Sequence, residues 1–387
     1  MGRQYRLQSL TAAIFVVLFS GGLYISTKTP LWNDEVVSQT SSIAGQSYRS
    51  LLFGGGIRDE ANNSPLFYLI QKLSQDGVDY ENPTVGIDSS PFSNGFLRVW
   101  PVASIAASIA VLFYYFAAGW NIWLGFYSVL VSLSSYMVWE YATQARPYAL
   151  WFLLTTIQIL LLLSVICTAG TDRKTLLRRL CITHWLLAFT IALSVVQNFA
   201  SCLVLWVFDE RRPKWHTVLF VGPAATALYY YAMARQYDIY FVDGAYALLG
   251  ASLPIDRVAI IIFGSILWAA SRPKVASKKV EATNHDYQIQ SIAGFILLAA
   301  IYAGCLAIII KFWLDAVPGI GTSFVSNRYF IVLAPIGIVM TTIASFSIIV
   351  LPHRLYKVIG LLVLASLMIL RFSRTWDLVI LRRISGN

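Results

Sequence analysis

The sequence has few charged residues for its length. Of its 387 residues only 12% are Asp, Glu, Lys or Arg, and 57% are hydrophobic. In soluble domains roughly a quarter of all residues are charged, so this deficit argues against a soluble globular protein. The composition predicts a chain that lies in a lipid bilayer.

Cysteine is also scarce. The four cysteines lie in or beside apolar runs, and no C-x-x-C pair or Cys/His pattern with metal-ligand spacing occurs. We therefore infer neither a disulfide framework nor a zinc site. The sequence makes no cofactor certain. It allows a divalent metal but has no motif that supports one.

The net charge of +10 could indicate a nucleic-acid partner, but its distribution does not. The basic residues form short clusters between apolar runs, at residues 173–179, 211–214 and 272–279. Lys and Arg clusters of this kind are typical of cytoplasmic loops in membrane proteins, because these residues resist translocation. We expect no binding of nucleic acid.

Apolar runs predict an all-α integral membrane protein with about eleven transmembrane helices in a single domain over residues 1–387. A basic start followed by an apolar run without a cleavage site predicts a retained first helix rather than a signal peptide. No separate C-terminal soluble domain is expected. The predicted spans are 9–27, 97–118, 122–139, 147–168, 180–196, 199–208, 216–234, 256–270, 291–313, 329–350 and 356–371.

A long segment over residues 28–96 separates the first two spans. With the N-terminus in the cytoplasm, it lies outside the cell or in the periplasm, where most of the acidic residues also fall. It has helical stretches and no cysteine, so we expect it to pack on the membrane helices as a loop with juxtamembrane helices.

Asp34 and Glu35 follow the first span in Leu31-Trp32-Asn33-Asp34-Glu35. One interpretation is structural: Trp32 anchors the helix at the interface and the acids face water. The functional interpretation is a general base near low dielectric. Both stay open at this point.

Two arginines on the same outer side could bind phosphate. Arg146 precedes Pro147, at the start of the fourth span, and Arg328 precedes Tyr329 at the tenth. A guanidinium forms paired, charge-assisted bonds with phosphate oxygens. The alternatives are a structural pair of Arg146 with Glu140, snorkelling, or an interfacial anchor at Arg328 and Tyr329.

Polar residues from several outer segments predict a composite site at one membrane face. Asn198, between the fifth and sixth spans, could hydrogen-bond a ligand or only a neighbouring helix. The residues assigned to substrate binding are Glu140, Tyr148, Asn63, Tyr68 and Asn198.

Five motifs in this order resemble the GT-C glycosyltransferases, in particular the bacterial relatives of protein O-mannosyltransferases and the aminoarabinose transferase of lipid A. The resemblance covers nearly the whole chain in order and spacing. The motifs are Leu31-Trp32-Asn33-Asp34-Glu35, Ser64-Pro65-Leu66-Phe67-Tyr68, Phe96-Leu97-Arg98-Val99-Trp100-Pro101, Gln144-Ala145-Arg146-Pro147-Tyr148 and Asn327-Arg328-Tyr329.

This resemblance implies a polyprenyl-phosphate sugar donor, Asp34 as the catalytic carboxylate with Glu35 as its partner, and Arg146 and Arg328 at the lipid phosphate. Three motifs depart from the family. A usual His-Pro-Pro-Leu is replaced at residues 63–66, a usual Glu by Gln144, and a Thr-His-Tyr-like step at residues 197–199. The loss of two histidines and a carboxylate weakens a claim of metal dependence and leaves the acceptor class open.

The expected function is an inverting sugar transfer to a glycan, lipid or protein acceptor at the periplasmic or extracellular face of a bacterial inner or plasma membrane. Two other classes stay open. A transporter or flippase would also need many spans, although the polar groups here cluster at one face and no repeat is visible. A non-catalytic lipid-binding subunit would bind donor without transferring sugar.

Overall fold

The computed structural model describes residues 2–57, 60, 63–78, 90–167, 172–208, 216–233, 330–349 and 354–376, with single positions at 258, 260 and 262. Within these residues the chain is helical and has no β-strand. An isolated antiparallel bridge joins Asn63 to Ile191. The prediction of an all-α protein is confirmed for this part of the chain.

The helices of the N-terminal half are α1 (Gly2–Lys28), α2 (Asn33–Val37), a π-helix (Ser38–Ile43), α3 (Tyr48–Leu52), a 3₁₀ turn (Gly55–Ile57), α4 (Leu66–Asp76), α5 (Pro91–Leu97), α6 (Val99–Gly119) and α7 (Ile122–Leu133). In this half, the short helices of the outer segment all lie between the long helices α1 and α6. The helices that follow are α8 (Tyr136–Ala142), α9 (Tyr148–Cys167), α10 (Asp172–Thr190), α11 (Ser194–Phe208), α12 (His216–Met233), α13 (Leu333–Ile349) and α14 (Arg354–Thr375).

Three of these helices are long and apolar enough to cross a membrane: α1 over Gln4–Lys28, α6 over Val99–Gly119 and α9 over Tyr148–Ile166. The pair α7 and α8 adds a fourth if it forms one bent span. A span needs about 20 apolar residues, a length that these helices reach. The prediction of a membrane protein is supported at this level, and the count of eleven spans stays a prediction.

The third predicted span, 122–139, is broken in the structure. Helices α7 and α8 meet at Ser134 and Ser135 and are bent by 69°. At the break the indole Nε1 of Trp139 donates a hydrogen bond to the carbonyl oxygen of Leu133 at 2.7 Å. A side chain thus satisfies a carbonyl that the interrupted helix leaves open, as a low-dielectric environment requires.

The predicted boundary between the fifth and sixth spans is wrong by several residues. Residues 180–196 do not form one helix, because α10 ends at Thr190 and α11 begins at Ser194. The carbonyl oxygen of Thr190 accepts a hydrogen bond from the amide of Ser64 at 3.1 Å. The outer segment therefore docks where the helix stops. The predicted spans 256–270, except for three positions, and 291–313 lie outside the described residues.

Helix α6 lies at the centre of the described bundle, in contact with α1, α7 and α9. Its Phe113 and Phe116 are fully buried, as are Trp151 and Phe152 of α9. Small residues allow helices in membranes to approach closely. At Gly125 of α7, an added Cβ would lie 2.9 Å from the carbonyl oxygen of Phe113.

The variant Gly125→Ala is expected to lower the free energy of unfolding by about 1–3 kcal/mol, because the new methyl group overpacks the α6–α7 contact. Gly119→Ala, at the exposed end of α6, is the matched control, since nothing lies within 4 Å of its added Cβ. Thermal unfolding of the two variants in detergent checks this. Equal melting temperatures would contradict a close α6–α7 contact at Gly125.

The outer segment also binds the membrane helices through main-chain carbonyl groups. Gln71 of α4 donates from Nε2 to the carbonyl oxygen of Leu97 at 3.1 Å. The hydroxyl of Tyr230 on α12 donates to the carbonyl oxygen of Leu52 at 2.7 Å. These contacts attach α4 to the end of α5 and α12 to the end of α3.

Candidate active site

Arg98, between α5 and α6, is the most deeply buried cation in the described residues, with 0% of its side chain exposed. Its Nε and Nη2 donate to the Glu35 carboxylate at 2.9 and 2.6 Å. Nη1 donates to the carbonyl oxygens of Ser26 and Thr29, and Nη2 to that of Pro30. All five guanidinium N–H groups therefore have partners.

Glu35 is the anionic half of this pair, and its carboxylate is equally occupied. In addition to Arg98, it accepts hydrogen bonds from the main-chain amides of Trp32 at 2.8 Å and Ala145. The Arg98–Glu35 clamp thus joins the end of α1, helix α2, the start of α6 and the turn before α9. With both oxygens engaged, Glu35 is poorly placed to remove a proton from a substrate.

Asp34 lies beside the clamp on α2, but its side chain is exposed. Its main-chain carbonyl oxygen accepts a hydrogen bond from Arg146 Nη1 at 3.0 Å. The clamp therefore fixes the main chain of Asp34 while the side chain faces the solvent. Asp34 and Arg146, predicted as base and phosphate ligand, are brought together by this contact.

Arg146 is 7% exposed. Its polar contacts with described residues are all made by one nitrogen, Nη1. Besides Asp34, Nη1 contacts the hydroxyl of Ser38 at 3.0 Å and Glu60 Oε2 at 3.2 Å. The guanidinium carbon lies 5.8 Å from the ring centre of Tyr148. A guanidinium held in this way is anchored from one side.

The other edge of Arg146 has no hydrogen-bond partner among the described residues. Its Nε is buried and unpartnered, and the contacts of the guanidinium to described residues all fall on Nη1. The Nε–H and one Nη2–H of arginine point in parallel and match two oxygens of a carboxylate or phosphate. The Nε–H on this edge is therefore a hydrogen-bond donor that the described residues leave unused.

Glu60 was not predicted as a site residue, although it is the ion-pair partner of Arg146. It is 3% exposed and accepts a hydrogen bond from Ser42 at 2.8 Å. Tyr68 also hydrogen-bonds Glu60, and Asn63 Nδ2 donates to the Tyr68 hydroxyl at 2.9 Å. In the sequence Glu60 is one of several outer-loop acids, and no motif distinguishes it from the others.

We call this group the Arg146 cluster; it consists of Ser38, Ser42, Glu60, Asn63, Tyr68 and Arg146. Burial raises the pKa of Tyr68 well above its usual range, and the negative charge of Glu60 raises it further. Burial alone would lower the pKa of Arg146, but Glu60, Tyr148 and Tyr68 together raise it well above its usual range. The cation and the phenol therefore keep their protons at neutral pH.

Asn198 lies in a different place from this cluster. It is fully buried, accepts a hydrogen bond from Gln158 of α9 at 3.1 Å and donates one to the carbonyl oxygen of His184 at 3.2 Å. Its neighbour Gln197 accepts from the Trp151 indole at 2.9 Å. Of the two alternatives for Asn198, these contacts favour hydrogen bonding between helices.

Of the remaining predicted residues, Tyr148 lies at the site and Glu140 contacts a neighbour on its own segment. Tyr148 is buried beside Arg146 and packs on Tyr141, with ring centres 5.3 Å apart. Glu140 accepts a hydrogen bond from Gln144 at 2.7 Å. Arg328 and Tyr329 lie outside the described residues.

The part of the chain that the structure describes contains no group of three or more His, Cys, Asp or Glu side chains placed to hold a metal ion. No protein-family model matches the sequence, and no curated protein matches it either.

Proposed function

We propose that this chain is a glycosyltransferase that moves a sugar from polyprenyl phosphate to an acceptor at the non-cytoplasmic membrane face. In this proposal the helices form a GT-C-like bundle of about eleven spans. One observation carries the proposal: an exposed carboxylate, Asp34, lies on the short helix whose main chain binds a buried arginine with an unpartnered edge. A base and an anion site are thereby adjacent.

Arg146 is proposed to hold the donor phosphate through its Nε and Nη2 edge. Nε is buried, and Arg146 lies among the buried Tyr148 and Tyr68, so a phosphate held there would be partly shielded from water. Charge-assisted bonds are strongest in such surroundings. Arg328 is proposed as a further ligand of the same phosphate, as the family resemblance implies. Tyr329, next to it in the sequence, is proposed to bind that phosphate as well.

The reaction is a single in-line displacement at the anomeric carbon. Asp34 removes the proton of the acceptor hydroxyl as its oxygen attacks, and the electron pair of the breaking carbon–oxygen bond passes to the phosphate. Arg146 stabilises the negative charge that gathers there. Because no covalent intermediate forms, the configuration at the anomeric carbon is inverted.

Glu35 has a different role in this proposal from the catalytic one that the sequence predicted. Its four hydrogen bonds make it a positioning residue, which holds α2 so that Asp34 faces the acceptor. Asn63 and Tyr68 likewise act on the donor through Glu60 and Arg146. Tyr148 is placed to contact the donor beside Arg146.

The proposal is tested by sugar transfer from a panel of labelled polyprenyl-phosphate monosaccharides, with acceptor supplied as membranes. The wild type is expected to consume at least one donor. Arg146→Lys keeps the charge and its pair with Glu60 but loses the bidentate edge. Its affinity for that donor is expected to fall roughly 10- to 100-fold, as for a lost hydrogen bond to a charged group.

Arg49→Lys is the matched control, because Arg49 is an exposed arginine of the same outer segment. Its donor affinity and turnover are expected to equal those of the wild type. Donor binding with movement across reconstituted vesicles, but no transfer, would replace this proposal with the transporter alternative. Donor binding with neither transfer nor movement would favour a lipid-binding subunit.

A further inference from the structure

We propose that Thr375 is a positioning residue for donor binding, because its hydroxyl fixes the break between α7 and α8 in the arrangement that supports Arg146. This inference rests on the proposed function, since it takes Arg146 to bind the donor phosphate. It assigns a role to the last turn of α14, which neither the predicted motifs nor the proposed displacement uses.

Side chains bind two main-chain carbonyl groups at the break. The Trp139 indole donates to the carbonyl oxygen of Leu133 from the same segment of the chain. The Thr375 hydroxyl donates to the carbonyl oxygen of Ser134 at 3.0 Å, and both residues are buried. This second donor lies 241 residues further along the chain. Its bond therefore joins α14 to the point at which α7 and α8 bend by 69°.

Helix α14 reaches the break because of the direction in which α13 and α14 run. Near the end of α13, the Ser345 hydroxyl hydrogen-bonds that of Tyr127 on α7 at 2.9 Å. The ring of Phe346 lies 5.0 Å from that of Trp120, just after α6. Helix α13 thus ends at the end of α6 that is remote from the outer segment. A helix of 22 residues spans about 33 Å, so α14 leads from there back toward the outer segment.

The bond of Thr375 differs from those that threonine makes within a helix. Thr156, Thr190 and Thr342 each donate to the carbonyl oxygen four residues earlier in their own helix. Such a local bond does not connect one element to another. Thr375 instead donates to a different element, so its bond fixes the position of α14 against the break.

Helix α8 connects the break to the candidate site. Tyr141 of α8 packs on Tyr148, with ring centres 5.3 Å apart, and the guanidinium carbon of Arg146 lies 5.8 Å from the Tyr148 ring centre. The amide of Ala145 donates to Glu35 from the same turn. The turn that carries Arg146 is therefore held from the outer segment by Glu35 and from the bundle by α8.

Loss of the Thr375 bond is expected to affect donor binding rather than the displacement itself. With α8 held less firmly, the arrangement that places Arg146 for the phosphate is a smaller fraction of the population. The apparent affinity for the donor falls by that fraction. The Arg98–Glu35 clamp, which holds Asp34, makes no contact with Thr375, so kcat should hardly change while the KM for the donor rises.

The experiment compares Thr375→Val, which removes the hydroxyl at similar volume, with Thr375→Ser, which keeps it. Binding of a polyprenyl methyl phosphodiester to the full-length protein in detergent gives the dissociation constant. Thr375→Val is expected to raise this constant about 2- to 10-fold, the range that corresponds to one hydrogen bond. Thr375→Ser is expected to bind as the wild type does. In the transfer assay the KM for the donor should follow the same order.

Thr342→Val is the matched control. Thr342 is a fully buried threonine of α13, whose hydroxyl donates to the carbonyl oxygen of Ile338 at 2.8 Å within the same helix. Its replacement removes the same kind of bond from the same bundle, so it is expected to lower the melting temperature without changing donor affinity. Melting temperatures also establish that the Thr375 variants are folded.

The outcomes distinguish this inference from the proposed function. Wild-type affinity in folded Thr375→Val, or an equal loss of affinity in Thr342→Val, would overturn the positioning role and leave a bond that serves the fold alone. Thr375→Ser that binds as weakly as Thr375→Val would also overturn it, because the hydroxyl would not be the cause. Absence of phosphodiester binding by the wild type would overturn the proposed function, and this inference with it.

Discussion

Replacement of Asp34 by asparagine is expected to lower the rate of sugar transfer by about 10²–10⁴-fold, the range that a positioned general base contributes. The amide keeps the shape of the side chain and cannot accept the proton of the acceptor hydroxyl. The contact to Arg146 is made by the main chain of residue 34, so it survives the substitution. The measurement is steady-state transfer of label from the best donor.

The kinetic constants carry more information than the rate alone. A base that acts only in the transition state affects kcat, whereas the KM for the donor should hardly change. Loss of the Asp34 charge beside Arg146 should not weaken binding of the anionic donor. An Asp34→Asn variant with a normal kcat and a raised KM would make Asp34 a binding residue instead of the base.

Asp76→Asn provides the matched control for this prediction. Asp76 is a second carboxylate of the outer segment, at the end of α4, where it accepts hydrogen bonds from Tyr48 at 2.7 Å and Lys72 at 3.2 Å. It lies on the surface and outside the Arg146 cluster, so transfer should equal that of the wild type. Wild-type transfer by Asp34→Asn itself would reject the assignment of the base.

Local sequence patterns predicted several helices well, and they failed where a distant segment ends a helix. The apolar runs at α1, α6 and α9 are long, so their bounds agree with the prediction within several residues. Hydropathy gave no sign of the break after Thr190, because the hydrogen bond that occupies its carbonyl comes from Ser64, more than a hundred residues earlier. The bend between α7 and α8 was hidden for a similar reason: two serines in an apolar run carry little weight in a hydropathy scan.

Sequence patterns likewise identified some residues of the candidate site and missed others. Asp34 and Arg146 stood out in the sequence because each lies beside an apolar run, in a motif that resembles those of the GT-C glycosyltransferases. Glu60 did not stand out, since it lies in a polar loop, and only the folded chain brings it to Arg146. Arg98 was visible in its motif but was given no role. Its five hydrogen bonds reach segments that sequence spacing does not relate to it.

The substitution Arg98→Met is expected to be the most destabilising single change in the described part of the chain. It leaves Glu35 buried without a cation and removes the guanidinium donors of three carbonyl oxygens. Loss of one partner of a buried pair costs about 3–5 kcal/mol, mainly because the remaining charge is uncompensated. Unfolding in detergent, followed by tryptophan fluorescence, measures the change in free energy.

A double-mutant cycle separates this charge effect from simple loss of packing. Glu35→Gln alone leaves Arg98 without its anion, whereas Arg98→Met with Glu35→Gln leaves no unpaired charge. The double variant is therefore expected to be more stable than the sum of the single changes predicts, by about 1–3 kcal/mol. Strict additivity would contradict a coupled pair. Lys72→Met, which removes the more exposed pair with Asp76, should change stability little.

Arg98→Lys tests whether the clamp also serves the reaction. Lysine keeps the positive charge beside Glu35, but its ammonium has three donors where the guanidinium has five. The variant is expected to fold, because Glu35 retains a cation, while the end of α1 loses part of its attachment to α2. Since α2 carries Asp34, kcat should fall with little change in donor affinity. A folded Arg98→Lys variant with wild-type kcat would show that the Arg98–Glu35 clamp stabilises the fold without positioning the base.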